Sequence, residues 1–280
     1  MKFQSFMTWL RQILKSGSEI MINKVKRFIN NYRNKKSAPK NRRHDDTYLV
    51  SYPKSGNTWV SFLISNAIIE YLNLDMDVNF FNIHDFVPDI HISREINNLY
   101  YENKFPRVIK SHSSFNPFYN KVFLLFRDPK DIMVSYYHFK KNMNSYNKNL
   151  SDFIRDDKFG VDSWVDHSES WLNNCYPSQR LNLFFYEDFK DNPNKELKRM
   201  FNLLGYNFNS TIIESAVEKS SLENMKIIEN KTASYSLKKL EKFKFVRKGK
   251  KGQGKAELSS DDKNYINEQT TEVLTKLKRY

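Results

Sequence analysis

Tyr48-Leu-Val-Ser-Tyr-Pro-Lys-Ser-Gly-Asn-Thr-Trp59, followed by the apolar run Val60 to Ile69, decides the fold of this 280-residue chain. Tyr48 to Tyr52 is a β-branched and aromatic run that stops at Pro53. Val60, Leu63, Ile64, Ala67 and Ile68 then recur at helical spacing. The stretch therefore reads as strand, tight loop, helix. Such a loop turns successive backbone N–H groups toward one point, and the positive end of the following helix adds to the same place. This is an anion site, most naturally for phosphate. Lys54 lies inside the loop, Ser55, Asn57 and Thr58 offer further donors, and Gly56 lets the backbone come close. The Gly-x-x-x-x-Gly-Lys-[Ser/Thr] order of ordinary nucleotide triphosphatases is missing, so the expected ligand carries phosphate without being ATP or GTP.

Outward from this stretch, strand and helix patterns alternate. Arg107 to Lys110 predicts a short strand running into Ser111-His112-Ser113-Ser114. Lys121 to Phe126 predicts a buried strand ending at Arg127-Asp128-Pro129, and Pro129 opens a helix to Lys140. Val161 to Asn174 reads as helix, Leu181 to Tyr186 as a third core strand, and Asn192 to Leu204 as a helix closed by Gly205. Ser210 to Lys219 and Asp261 to Leu277 are further helices. Asn73 to Asn103 is irregular, acidic and aromatic, as expected of a cover over a pocket. Arg247 to Lys255 reads as loop. Alternation of this kind predicts a three-layer α/β domain of the P-loop type, its parallel sheet flanked by helices on both faces. Ligands of such sheets bind beyond the carboxyl ends of the strands, which selects the loops after Tyr52, Lys110, Phe126 and Tyr186.

The net charge of +14 suggests nucleic acid until it is divided along the chain. Residues 1–44 hold twelve Lys and Arg against Glu19, a net of +11, so residues 45–280 carry 14 − 11 = +3. Basicity is thus a property of an N-terminal extension, and no nucleic-acid partner is expected for the domain of residues 45–280. Residues 3–29 carry two amphipathic helical patterns with Trp9 on the apolar side, suited to peripheral membrane contact, or equally to packing on the domain or a second subunit. Residues 33–46 read as a linker. The lone Cys175 excludes an internal disulfide and fits a reducing, cytoplasmic compartment.

Four ordered motifs resemble the cytosolic-type sulfotransferases, which use 3′-phosphoadenylyl sulfate (PAPS). Tyr52-Pro-Lys-Ser-Gly-Asn-Thr-Trp59 is similar to their phosphosulfate loop and Ile109-Lys-Ser-His112 to their Lys-Thr-His segment. Arg127-Asp-Pro-Lys-Asp-Ile-Met-Val-Ser-Tyr-Tyr-His-Phe139 resembles their 3′-phosphate segment, and Phe245-Val-Arg-Lys-Gly-Lys-Lys-Gly252 their Arg-Lys-Gly loop. The resemblance implies PAPS as co-substrate and no metal. It assigns His112 as general base, Lys54 to the leaving phosphate, and Lys110 to the sulfuryl oxygens. Ser55, Gly56, Asn57 and Thr58 would hold the 5′-phosphate, and Arg127, Ser135, Arg247, Lys248 and Gly249 the 3′-phosphate. Trp59, Tyr186, Ser221, Leu222 and Met225 fall at adenine-contacting positions. The motif departs at Gln253-Gly254-Lys255, where the family commonly has Asp-Trp-Lys, and its dimer signature is broken at Ser259, Ser260 and Asn264. The acceptor is read from the residues rather than the resemblance: the mix of aromatics and acids in Asn73 to Asn103 suits a sugar hydroxyl or a phenol, and with a membrane-facing N-terminal helix the expected acceptor is a small molecule, a glycan or a glycolipid. Competing readings are a P-loop kinase-like phosphotransferase, which would need the Gly-Lys-Ser/Thr order, and a non-enzymatic binder of nucleic acid or anionic surfaces.

Overall fold

The computed structural model describes residues 37–97, 99, 101, 104–174, 180–235 and 252–278. The amphipathic patterns of residues 3–29, Cys175, and Arg247, Lys248 and Gly249 lie outside them. Among the described residues no helix is long and apolar enough to cross a membrane.

Four parallel strands, β1 (Thr47–Ser51), β2 (Val108–Ser111), β3 (Lys121–Phe126) and β4 (Arg180–Phe185), pair in the order β2-β1-β3-β4. The register sets Leu49 opposite Lys110 and Phe123. Every residue of β1 and all of β3 after Lys121 are buried, so helices must cover both faces of the sheet. This agrees with the predicted α/β architecture. Strand order reverses around β1, and the crevice at its carboxyl end is where the Lys54 loop sits.

Helix α1 (Asn57–Leu72) leaves the loop and is buried along most of its length. Helix α2 (Pro129–Asn142) begins with Pro129 at its first position, and the Asp128 side chain accepts from Lys130 N–H at 2.8 Å. A short helix α3 (Leu150–Ile154) precedes α4 (Val161–Asn174). Beyond β4 come α5 (Tyr186–Asp191), α6 (Pro193–Leu204), α7 (Ser210–Lys219) and α8 (Leu222–Tyr235). Gly205 ends α6 at φ +92°, the left-handed position expected of that cap. The chain closes with α9 (Gln253–Glu257) and α10 (Ser260–Leu277).

Two segments differ from expectation. Residues 37–46 are packed on the domain rather than forming a linker: Ala38 is fully buried, Asn41 bonds the Ile96 carbonyl at 2.7 Å, and Arg107 grips Asp46 at 2.7 Å. That ion pair is almost completely buried, so its guanidinium also binds the carbonyl of Asn41 at 2.7 Å to complete its partners. The end of the predicted loop Arg247 to Lys255 falls instead in α9 (Gln253–Glu257), where Asp131 on α2 supplies the cap described below.

Candidate functional site

The loop after β1 has two residues in left-handed backbone, Lys54 at φ +72° and Gly56 at φ +100°. At Gly56 a side chain would force a shift, since an added Cβ would lie 2.4 Å from Cδ2 of Tyr186. Gly56→Ala is therefore expected to lower Tm by about 2–8 °C, the scale of a positive-φ penalty of ~1–2 kcal/mol in a domain this size. Thermal unfolding followed by circular dichroism checks it, and an unchanged Tm would contradict the packing of Tyr186 on the loop. Ser55 Oγ donates to Tyr52 O at 2.8 Å. The Asn57 amide donates to Leu49 O at 3.1 Å and Ser51 Oγ at 3.0 Å. Both side chains are buried and take their partners within the loop and β1. Lys54 extends over the Phe139 ring, its Nζ 4.4 Å from the centroid.

Arg127 joins the loop to the next part of the crevice. Its Nη1 donates to Lys54 O at 3.1 Å, its guanidinium covers the Tyr186 ring at 4.4 Å, and Nη2 lies 3.6 Å from Asp131. Half-buried Ser135 stands two turns further along α2. Asp131 also anchors a distant segment, since its carboxylate accepts the N–H groups of Gly252 at 2.9 Å and Gly254 at 2.8 Å. Gly254 lies so close that a Cβ would fall 2.5 Å from Lys130 Cβ, and His138 bonds Glu257 at 2.5 Å. The end of the Arg-Lys-Gly segment is thus docked on the helix that carries Ser135, beside Arg127.

A third group forms around Trp59, whose indole N–H donates to Ser220 O at 2.9 Å and whose ring meets Tyr186 edge-on at 5.7 Å. This places the start of α8 next to Trp59. Ser221 and Leu222 are half-buried there, and Met225 is buried. Ser221 Oγ caps α8 by accepting from Asn224 N–H at 3.3 Å.

At the end of β2, His112 Nδ1 lies 2.8 Å from Ser51 O. A carbonyl only accepts, so Nδ1 carries the proton and Nε2 keeps a free lone pair. Burial, helped by the nearby Lys110 charge, pushes the His112 pKa well down, so the imidazole is neutral at pH 7. Lys110 Nζ is itself held by Asp89 at 3.0 Å. Its expected reach toward a substrate oxygen is therefore shared with this ion pair. His91 accepts the backbone N–H of His112 at 2.9 Å, and the Asp89 carboxylate accepts that of His91 at 2.9 Å. Asp89 and His91 carry no motif, and only the bridge that sets Asp89 beside Lys110 reveals them. Among the described residues no cluster of His, Cys, Asp and Glu could hold a metal ion.

His112 opens onto a cavity of about 310 Å³ lined also by Tyr52, Pro53, Ser114, Tyr136, Lys158, Ser163, Asp166 and His167. The α4 residues among these had no signal in the sequence beyond helical periodicity.

Three comparisons fit this arrangement. Residues 44–278 match the family model described as Sulfotransferase domain. The chain is 30% identical over 262 residues to Sulfotransferase 1B1 of Canis lupus familiaris, covering 85% of this chain and 83% of that protein. It is 31% identical over 251 residues to Sulfotransferase 1B1 of Mus musculus, covering 81% and 79%. Among solved structures, mouse sulfotransferase SULT7A1 complexed with PAP has the same fold at TM-score 0.59 and 22% identity, with 85% and 86% of the chains covered. Retinol dehydratase in a complex with retinol and PAP does so at TM-score 0.58 and 19% identity, covering 83% and 82%. A family model spanning most of the chain, with relatives matched over most of their own length, makes this protein an enzyme of the sulfotransferase domain family.

Proposed function

We propose that this enzyme moves the sulfuryl group of PAPS to a hydroxyl or amine of a small-molecule acceptor, with His112 as base and Lys54 at the leaving phosphate. One observation carries the residue roles: His112 is tied through Nδ1 to Ser51, the last residue of the strand that launches the Lys54 loop. The base and the cation thus spring from neighbouring strand ends on one crevice. PAPS supplies the activated sulfur. His112 takes the acceptor's proton on Nε2 as the new S–O bond forms. Lys54 offsets the charge that the broken S–O bond leaves on the 5′-phosphate, which the N–H groups of Gly56, Asn57 and Thr58 hold, while that of Ser55 closes the loop on Tyr52 O at 3.3 Å. Arg127 and Ser135 face the 3′-phosphate, and Arg247, Lys248 and Gly249 complete that half. Trp59, Tyr186, Ser221, Leu222 and Met225 enclose the adenine. The tight Gly56 cradle, a ring-faced Arg127 and the edge-paired Trp59 and Tyr186 fit a nucleotide with two separate phosphates.

Adenosine 3′,5′-bisphosphate, the product nucleotide, is expected to raise Tm clearly. At 100 times its Kd the stabilisation is ~2.7 kcal/mol. ATP at the same concentration should give a small shift. Equal shifts for the two nucleotides, or none for the bisphosphate, would overturn the assignment.

A further inference from the structure

We propose that the acceptor is a saccharide, which presents one hydroxyl to His112 and its others to the polar wall of the adjoining cavity. The proposal rests on the sulfuryl-transfer reading above and names its substrate class. Small-molecule pockets are mostly apolar with a few polar groups, but polar and titratable side chains make up most of this one. The Tyr136 hydroxyl and the Asp166 carboxylate make no hydrogen bond among the described residues, and Asp166 stands exposed on α4. His167 is buried, and a backbone bond to Ser113 occupies one ring nitrogen. Its Nε2 is buried behind the cavity wall and has no hydrogen-bond partner among the described residues.

An apolar phenol or sterol would take water from these groups and return no hydrogen bonds. A sugar returns them, since each hydroxyl both donates and accepts. Its C–H groups need apolar surface, and the buried Tyr52 and Tyr136, which pack edge to face at 5.9 Å, line the cavity. Lys158 and Asp166 carry opposite charge, so the wall favours a neutral polyol over an anion or a cation. The volume of about 310 Å³ is roughly ten waters' worth, the scale of a small sugar.

The test uses the full chain in two arms. First, adenosine 3′,5′-bisphosphate must raise Tm, which reports on nucleotide binding alone. Then transfer of labelled sulfate from PAPS is measured with methyl hexosides and disaccharides, with 2-naphthol and with androsterone. At least one saccharide is expected to exceed both apolar acceptors by about 10-fold in kcat/KM, and Asp166→Ala is expected to raise its KM by about 10-fold with kcat little changed. Preference for naphthol or androsterone, absence of transfer to every saccharide, or a KM unmoved by Asp166→Ala overturns the saccharide assignment. If the nucleotide arm succeeds, the sulfuryl-transfer reading survives that failure. If the nucleotide arm fails, both fall.

Discussion

His112→Ala is expected to lower kcat by about 10²–10⁴-fold, the usual contribution of a positioned general base, while affinity for adenosine 3′,5′-bisphosphate stays within a few-fold. The split follows from geometry: the imidazole sits at the end of β2, facing the cavity, and none of the nucleotide-facing groups uses it as a partner. Removing it costs one hydrogen bond to Ser51 O, about 1 kcal/mol, so the fold should persist. The pH dependence gives a second readout. A base works only unprotonated, and burial has lowered the pKa of this one from its ordinary value of 6.5. The wild-type rate should therefore hold as pH falls through 6.5 and decline only as pH approaches the depressed value. An acid limb centred at or above 6.5 would contradict the half-buried, neutral imidazole, and near-wild-type turnover by the variant would remove His112 from the chemistry.

Lys54→Ala carries the other large effect, an expected loss of about 10²–10³-fold in kcat, comparable with deleting one preorganised group at a developing charge. The backbone argues for it as much as the side chain does. A non-glycine residue at φ +72° costs on the order of 1–3 kcal/mol, and such strain gathers where a side chain must be aimed. Alanine suffers the same φ, so the variant leaves that penalty in place and removes the ammonium, which lies over Phe139. Lys54→Gly should relieve the strain, raising Tm slightly while losing the same rate. Rates from rapid-quench single turnovers, beside Tm values, check both variants. Retention of kcat by Lys54→Ala would show that the leaving phosphate is neutralised elsewhere.

The parts of this site that sequence made legible are those built by local rules. Strand β1, its loop and α1 follow from a β-branched run, a proline stop and helical periodicity. The start of α2 follows from Asp128-Pro129 and the end of α6 from Gly205. The rest depends on contacts between distant residues. Asp131 reads as a first-turn helix acid, and only the fold brings Gly252 and Gly254 to it across more than a hundred residues. Residues 37–46 look like a polar linker because their burial depends on Arg107, Ile96 and Tyr119, which no local pattern announces. The inward turn of the Asn57 amide is hidden for the same reason, since its partners lie on the preceding strand rather than in the loop. His167 sits on an amphipathic helix where the pattern alone suggests core packing. Its buried, unpartnered Nε2 becomes visible only once the Ser113 backbone is seen to hold the other nitrogen.

The most direct measurement incubates wild type and His112→Ala with labelled PAPS and a mixture of saccharide, phenol and sterol acceptors, and separates the nucleotides by chromatography. Wild type is expected to form adenosine 3′,5′-bisphosphate in step with a sulfated acceptor, while the variant binds PAPS and leaves it intact. Unconsumed PAPS with wild type, or equal consumption by the variant, would contradict sulfuryl transfer through His112.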